Sequence, residues 1–407
     1  MDEALGGVLM PRTIKDGWLN TYRQYVGKQE SPTQFHFWVG LTVISAALRR
    51  HVWVDRGAYQ IYPNQYVLLI AESASCRKSV AMKLGLEILK SLKDIKVIHE
   101  RCTIEGLLDV MKKVFISPTT GRIYKEGPIV IHADELSNLF GKSTYTGDLI
   151  SFLTAAYTSS ASLEFLTRNR GYAQVEGPCP VIISGTTPEQ MGIIFPIIAL
   201  SGGFLGRVIT VIGRRGRRES HPIVIKELVA PLVHDLYEIS QLEGEMKLTP
   251  SCEKEYDDWY QSLTEPPSPE VAPFFERKHD HVLKTAMLLS IAESSDMIIT
   301  ERHLHMAMEA IDSVEMQIPR AMELIGATIE SQVVDLVLRI IRRNPEGIKH
   351  SVLLRKLQRR IRNADELNDV LTRLRESDLI EATTRLGSPA MFYKPKATLK
   401  GGDTNDV

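Results

Sequence analysis

Lys78 and Ser79 open a helical stretch, behind the apolar run Tyr66–Ile70 and a short polar loop. A lysine followed by a hydroxyl at a strand–loop–helix junction can do a defined piece of chemistry. Backbone N–H groups converge on phosphate at the helix N-terminus, the lysine neutralises it, and the hydroxyl takes Mg²⁺. The usual pattern is G-x-x-x-x-G-K-[ST]. Here the glycines are missing: Arg77 precedes Lys78, and the nearest glycine is Gly85, inside the helix. Glycine only makes the required φ values easy, and Ala71, Ser73, Ala74 and Ser75 meet part of the same need by being small. Ser75, Cys76, Arg77, Lys78, Ser79 and Val80 are the expected phosphate cradle. The plainer alternative makes Lys78 an exposed helix-start residue.

A later strand, in "GPIVIHADELSNLF", ends in Asp134-Glu135. Strands of a parallel sheet end on one edge, so these carboxylates could face the loop. Asp134 would hold Mg²⁺ together with Ser79, and Glu135 would polarise an attacking water. Asp134 could instead cap the next helix. "CPVIISGTTPEQM" is another strand, ending in Ser184, Thr186 and Thr187. A polar group there can orient the lytic water, and Thr187 could equally cap a helix starting at Pro188. "LSGGFLGRVITVIG" sets Arg207 before a strand, behind a glycine-rich turn. Such an arginine can reach the nucleotide of a neighbouring subunit, or be an ordinary surface residue.

The elements needed to position these groups are legible. Strands are expected at Tyr66–Ile70, Lys96–His99, Ile129–His132, Val181–Ser184 and Val208–Ile212. Helices are expected near Lys78–Lys90, Ile104–Lys113, Asp148–Tyr157 and Pro188–Ile194. That alternation predicts an α/β domain on a mainly parallel sheet. Residues 12–50 read as helical, with Phe35–Arg49 a buried amphipathic helix starting after Ser31-Pro32-Thr33. From Ile223 to about Ile329 helical periodicity dominates, and "GRRGRR" (Gly213 to Arg218) is a basic cluster between the two regions.

Composition sets the outer bounds. A chain of 407 residues, 43% hydrophobic and 24% charged with net charge −1, can hold two or three domains. Any nucleic-acid surface must then be local. Four separated cysteines and eleven histidines show neither C-x-x-C nor H-E-x-x-H spacing. The first residues lack a signal-peptide core, and no run is long enough to span a bilayer. A soluble, cytoplasmic protein without a membrane partner is expected.

The block after residue 330 has its own character. "SQVVDLVLRIIRRNPEGIKHSVLLRKLQRRI" gives two helices about a turn, "ADELNDVLTRLRESDLI" a third, and "EATTRLGSPAMFYKPK" a hairpin turning at Gly387-Ser388-Pro389. Three helices and a hairpin make a winged helix-turn-helix pattern. From Glu330 to Lys396 there are 14 Lys/Arg against 9 Asp/Glu. Arg355, Lys356, Arg359, Arg360 and Arg362 could therefore contact nucleic-acid phosphates. Asp365, Glu366 and Asp369 head the third helix, so a protein-contacting role stays open.

The order "YPNQYVLLIAESASCRKS", "IHADELSN", "IISGTTP", "GGFLGR" resembles the helicase-like P-loop ATPases of phages, plasmids and other mobile elements. In that family a Y-P-N lead-in precedes a loop often ending R-K-[SG]. Likeness extends over residues 15–312 and, with the following winged-helix block, to minichromosome maintenance-type AAA+ helicases. The resemblance implies a P-loop NTPase (AAA+/RecA-like) core at 61–222. An N-terminal helical region at 1–60, a helical lid at 223–329, a winged helix at 330–396 and a disordered tail at 397–407 complete it. It further implies ATP and Mg²⁺ as cofactors, a homo-oligomeric ring, single- or double-stranded DNA as partner, and a primase or other replication protein beside it. Arg207 matches the arginine finger, with Arg277 or Lys284 a second basic group near the phosphates. The expected function is an ATP-dependent DNA helicase or translocase. The alternatives are an AAA+ ATPase that loads or remodels a complex without unwinding, and a hydrolysis-poor nucleotide-binding scaffold or regulator.

Overall fold

The computed structural model describes residues 11–396 apart from Ala74, Lys112, 117–122, 141–145, Ser160, 168–170, 195–202, Arg217, 359–360, Arg362 and 385–389. Two compact units divide between Glu323 and Leu324.

The first unit begins with helices α1 (Trp18–Val26) and α2 (Thr33–Leu48), then strands β1 (Val52–Asp55), β2 (Gln60–Ile61) and β3 (Tyr66–Ile70). Next come α3 (Lys78–Leu89), β4 (Val97–His99), α4 (Ile104–Met111), β5 (Lys113–Ile116) and β6 (Ile123–Ala133). Short helices α5 (Leu136–Phe140) and α6 (Thr146–Ala156) precede the hairpin β7 (Ser162–Thr167) and β8 (Gly171–Glu176). The core closes with β9 (Pro178–Thr186), α7 (Pro188–Ile194) and β10 (Val208–Ile212).

Five of these strands form a parallel sheet in the order β10-β3-β9-β6-β4, with β5 antiparallel to the early half of β6. Numbered along the chain, the parallel strands lie five–one–four–three–two. After β3 the chain crosses to the far edge at β4, while β10 returns on the other side of β3. Connections therefore diverge at β3, and in open parallel sheets the crevice for ligands lies outside the carboxyl ends of strands at such a point.

Both faces of the sheet are covered, which is why its strands read as continuous apolar runs. Val67, Leu69, Val181, Ile183, Ile209 and Val211 belong to the core shared with α1–α3. Alternate residues point the other way: Tyr66 meets Tyr157 and Phe204, and Phe204 meets Phe140 of α5. Helix α2 is buried almost all round rather than amphipathic. Helices Val229–Ser240 and Lys278–Glu293 join α1, α3 and the sheet in enclosing it. The regions expected at 1–60, 61–222 and 223–329 thus share one hydrophobic core.

Two elements differ from expectation. The helix expected to reach Lys113 ends at Met111, because Lys113–Ile116, β-branched and aromatic, pairs with residues 123–126 and extends β6 well beyond Ile129. The β7–β8 hairpin has no counterpart among the expected elements.

The second unit holds helices His350–Leu357 and Ala364–Glu376 and a small antiparallel sheet. In that sheet Met391–Pro395 lies between Ile348–Lys349 and Ile380–Thr384. Leu353, Leu357, Leu367, Leu371 and Leu374 make its core with Val337 and Ile341. The turn at 387–389 lies outside the described residues, as does the tail at 397–407. No helix among the described residues is long and apolar enough to cross a membrane.

Candidate functional site

Arg77 solves the missing-glycine problem by adopting the glycine conformation. Its φ of 49° and ψ of 43° lie in the left-handed region, at the position where the usual loop has glycine. A non-glycine residue there costs about 1–2 kcal/mol, and neighbours hold it in place. Arg77 O accepts from Ser31 Oγ at 3.2 Å and from the backbone N–H groups of Val80 and Ala81. Arg77 Nε donates to Glu30 Oε2 at 3.1 Å. Ser75 N and Oγ both donate to Glu72 O, and Cys76 is packed into the core. Ser31 was expected at the start of α2; its hydroxyl instead serves the loop 46 positions away.

Lys78 is buried on the first turn of α3, and its Nζ donates to Ala71 O at 2.7 Å. Ser79 and Val80 beside it are exposed. The exposed helix-start alternative therefore fits Ser79, not Lys78. Burial pulls the Lys78 pKa down, opposed by the negative charge of Glu135. Burial likewise pushes the Glu135 carboxyl up, opposed by Lys78 and reinforced by Asp134 and Glu100. Glu135 Oε2 is buried with no hydrogen-bond partner among the described residues.

Register explains how these groups come to one edge. Ile70 pairs with Thr186 across β3–β9, and Ala133 with Ser184 across β9–β6. The strands ending in the loop and in Asp134-Glu135 are thus separated by β9 alone. Gly185 sits between them, where an added Cβ would lie 2.6 Å from Asp134 O and 3.4 Å from Lys78 Cε. Only glycine allows that approach. A glycine inside a strand signals a close backbone approach, and Gly185 within "IISGTTP" is the sequence signal for it.

Asp134 is exposed and its N–H donates to Glu100 Oε1 at 3.1 Å, while Glu100 Oε2 accepts from Asn138 Nδ2 at 2.7 Å. Glu100 follows β4 with φ 64°, held by its own N–H on His132 O at 2.7 Å. Nothing in the sequence pointed to Glu100, because its partners lie on another strand. Ser184 Oγ donates to Ala133 O. Thr187 Oγ1 accepts from Gln190 N at 3.3 Å, which is helix capping of α7.

Arg207 lies at the opposite edge. Val208 pairs with Tyr66 and Ile212 with Ile70, so Arg207 precedes the amino end of β10. At about 3.3 Å per residue it stands about 16 Å along the sheet from the loop. Its Nη1 donates to Gly203 O, Nε is buried without a partner among the described residues, and the guanidinium lies 6.0 Å from the Tyr157 ring. Burial and the neighbouring Arg277 pull its pKa down. Lys284 is also at this edge: its Nζ donates to Asn64 O at 2.9 Å and Asn64 Oδ1 at 2.7 Å. Asn64 precedes β3, so Lys284, like Arg207 and its neighbour Arg277, stands at the sheet edge away from Lys78. A contact visible only after folding, Lys284 to the Y-P-N asparagine, decided the placement.

In the second unit Arg355 and Lys356 are exposed on the last turn of their helix, where cations suit the helix dipole. Arg359, Arg360 and Arg362 lie outside the described residues. Asn363 Oδ1 accepts from Glu366 N, and Asp365 and Glu366 occupy the first turn of the next helix, so those acids favour the positive helix end.

Among the described residues, no group of three or more His, Cys, Asp or Glu could hold a metal alone. Mg²⁺ needs no such cage, since it is usually held through one or two protein oxygens plus substrate phosphates. The exposed Ser79 and Asp134 could offer those oxygens. No protein-family model matches the chain, and no curated protein matches it.

Proposed function

We propose that the chain is a P-loop ATPase of the AAA+/RecA-like kind, a DNA helicase or translocase working as a homo-oligomeric ring. The observation that carries this is the pairing at one sheet edge of buried Lys78, at a helix N-terminus, with Glu135, whose Oε2 is buried without a partner among the described residues. The five–one–four–three–two strand order, with the crevice at β3, supports the same reading.

Lys78 would exchange its carbonyl partner for the β/γ-phosphates, and the N–H groups of Lys78 and Ser79 at the start of α3 would bind phosphate oxygens. Ser79 and Asp134 would hold Mg²⁺, which neutralises charge on the phosphates when bound. Glu135 would orient and polarise the attacking water. Thr187, despite its capping bond, would orient that water from just beyond β9. Arg207, too far along the sheet for its own loop, would serve the nucleotide of the next subunit. Tyr172, 61% exposed on the β7–β8 hairpin, would offer a ring to stack on a base. A winged helix-turn-helix in the second unit would add phosphate contacts through Arg355 and Lys356. The resemblance of the four motifs supports a role in replicating a mobile element, with a primase or other replication protein as partner.

A second use of the ATPase, loading or remodelling a complex without unwinding, is favoured by the acidic first turn of the Ala364–Glu376 helix. One experiment separates them: ATPase activity with and without single-stranded DNA, run beside strand displacement. Stimulation with unwinding is expected. Stimulation without unwinding would favour the loader, and no turnover at all would overturn both.

A further inference from the structure

The run Gly213-Arg214-Arg215-Gly216-Arg217-Arg218 leaves the sheet directly after β10 and has no part in the chemistry above. Two backbone facts fix its place. Ile212 pairs with Ile70, and Gly213 N donates to Ile70 O at 2.8 Å, so the run departs from the carboxyl edge beside the start of the phosphate loop. A Cβ on residue 213 would lie 2.2 Å from the Phe35 ring, so glycine is required for the chain to turn there. Beyond the turn Arg214, Arg215 and Arg218 are exposed.

This basic loop is tied to the phosphate loop. Arg215 Nε donates to Ser75 O at 2.6 Å. Glu30, paired with Arg77, also accepts from Glu219 N and feels the positive charge of Arg215. One carboxylate thus links the left-handed loop residue to the basic run. A run serving only solubility would need neither contact.

We propose that loop 213–218 binds the phosphate backbone of a nucleic acid through Arg214 and Arg218, and that Arg215 and Glu30 couple this binding to the phosphate loop. The coupling rests on the function proposed above; the surface does not. Adjacent arginines without an apolar side chain suit a polyanion and lack the buried anchor of a protein interface. A phosphate competes well for Arg215, because arginine binds an ionised acceptor more strongly than a neutral carbonyl. Releasing Ser75 O and rebalancing Glu30 then changes the cradle, and the effect of one ligand on the other is reciprocal.

The test uses the full chain, labelled oligo-dT and a fluorescent ATP analogue. Without nucleotide, R214A/R218A should weaken oligo-dT binding and lower the salt slope by about 1.4, roughly 0.7 per lost phosphate contact. Its affinity for the analogue without DNA should equal that of wild type. In wild type, oligo-dT should change analogue affinity by about fivefold or more. Arg215→Ala should lose that change while still binding oligo-dT. An unaltered salt slope in R214A/R218A overturns the surface, as does equal competition by polyglutamate, which would assign it to an acidic protein. A wild-type response in Arg215→Ala overturns the coupling. Wild-type protein that binds no analogue overturns the coupling together with the proposed function, and the salt slope still decides the surface.

Discussion

Two buried lysines at opposite edges of one sheet are held differently. Lys284 is clamped: two oxygens of Asn64 accept from its Nζ, and the Tyr157 ring lies 4.1 Å away. Burial pulls its pKa down to about 8. Lys78 leans on a single backbone carbonyl and faces a carboxyl group whose Oε2 has no partner among the described residues. A buried polar network satisfied on all sides rigidifies a fold, while a charge pair left partly satisfied in a cleft marks a candidate working site. The proposed function takes Lys284 as scaffold and Lys78 as machinery.

The largest expected effect would break that distinction outright. Lys78→Ala should lower ATP turnover by about 10²–10³, the range for losing one preorganised donor to developing charge. Its urea midpoint should stay near that of wild type. Lys284→Met should do the reverse. It leaves two Asn64 acceptors buried without their donor, costing about 1–3 kcal/mol of stability, while nucleotide affinity holds. If Lys284→Met abolished turnover in a folded protein, or Lys78→Ala left it intact, the contrast between the two edges would fail.

A pH series sharpens the same contrast. The Lys284 pKa is lower folded, about 8, than unfolded, where the ordinary value is 10.5. Between those values the unfolded chain holds more protons, so stability from this group rises with pH and is lost as pH falls through about 8. The stability gap between wild type and Lys284→Met should therefore widen from pH 8 to pH 10. A constant gap would mean that Lys284 does not titrate in that window.

The smallest effect concerns Arg77. Replacing it with glycine relieves about 1–2 kcal/mol of left-handed strain but loosens the unfolded chain by about 0.5–1 kcal/mol. The exposed pair with Glu30 adds little. Arg77→Gly should thus gain between about 0 and about 1.5 kcal/mol in denaturant titration and keep its turnover. A clear loss of nucleotide affinity would show that the arginine side chain itself serves the site.

Much of the core was legible because local signals agreed. Tyr66–Ile70, Val208–Ile212 and Pro188–Ile194 stand at the bounds read from sequence, where apolar runs are punctuated by Asn, Gly and Pro. The β7–β8 hairpin escaped notice because its strands mix charged, aromatic and small residues without a strong turn pair. Within the site, Lys78 and Asp134-Glu135 could be read from a motif and a strand end. Glu30, Ser31, Glu100 and Arg215 could not, since each acts through a partner distant in sequence. The place of Lys284 was hidden for the same reason: its partner Asn64 lies 220 positions away.

Glu135→Gln tests the central claim most directly. It keeps the shape of the side chain and removes the charge that would polarise water. The Glu135 pKa is raised in the fold, so its carboxylate weakens stability as pH rises through that value, and the amide should be slightly stabilising at pH 7. Binding of ATP and its turnover should be measured on the same folded sample. The account predicts near-wild-type binding with turnover reduced at least about 100-fold; hydrolysis at the wild-type rate would contradict it.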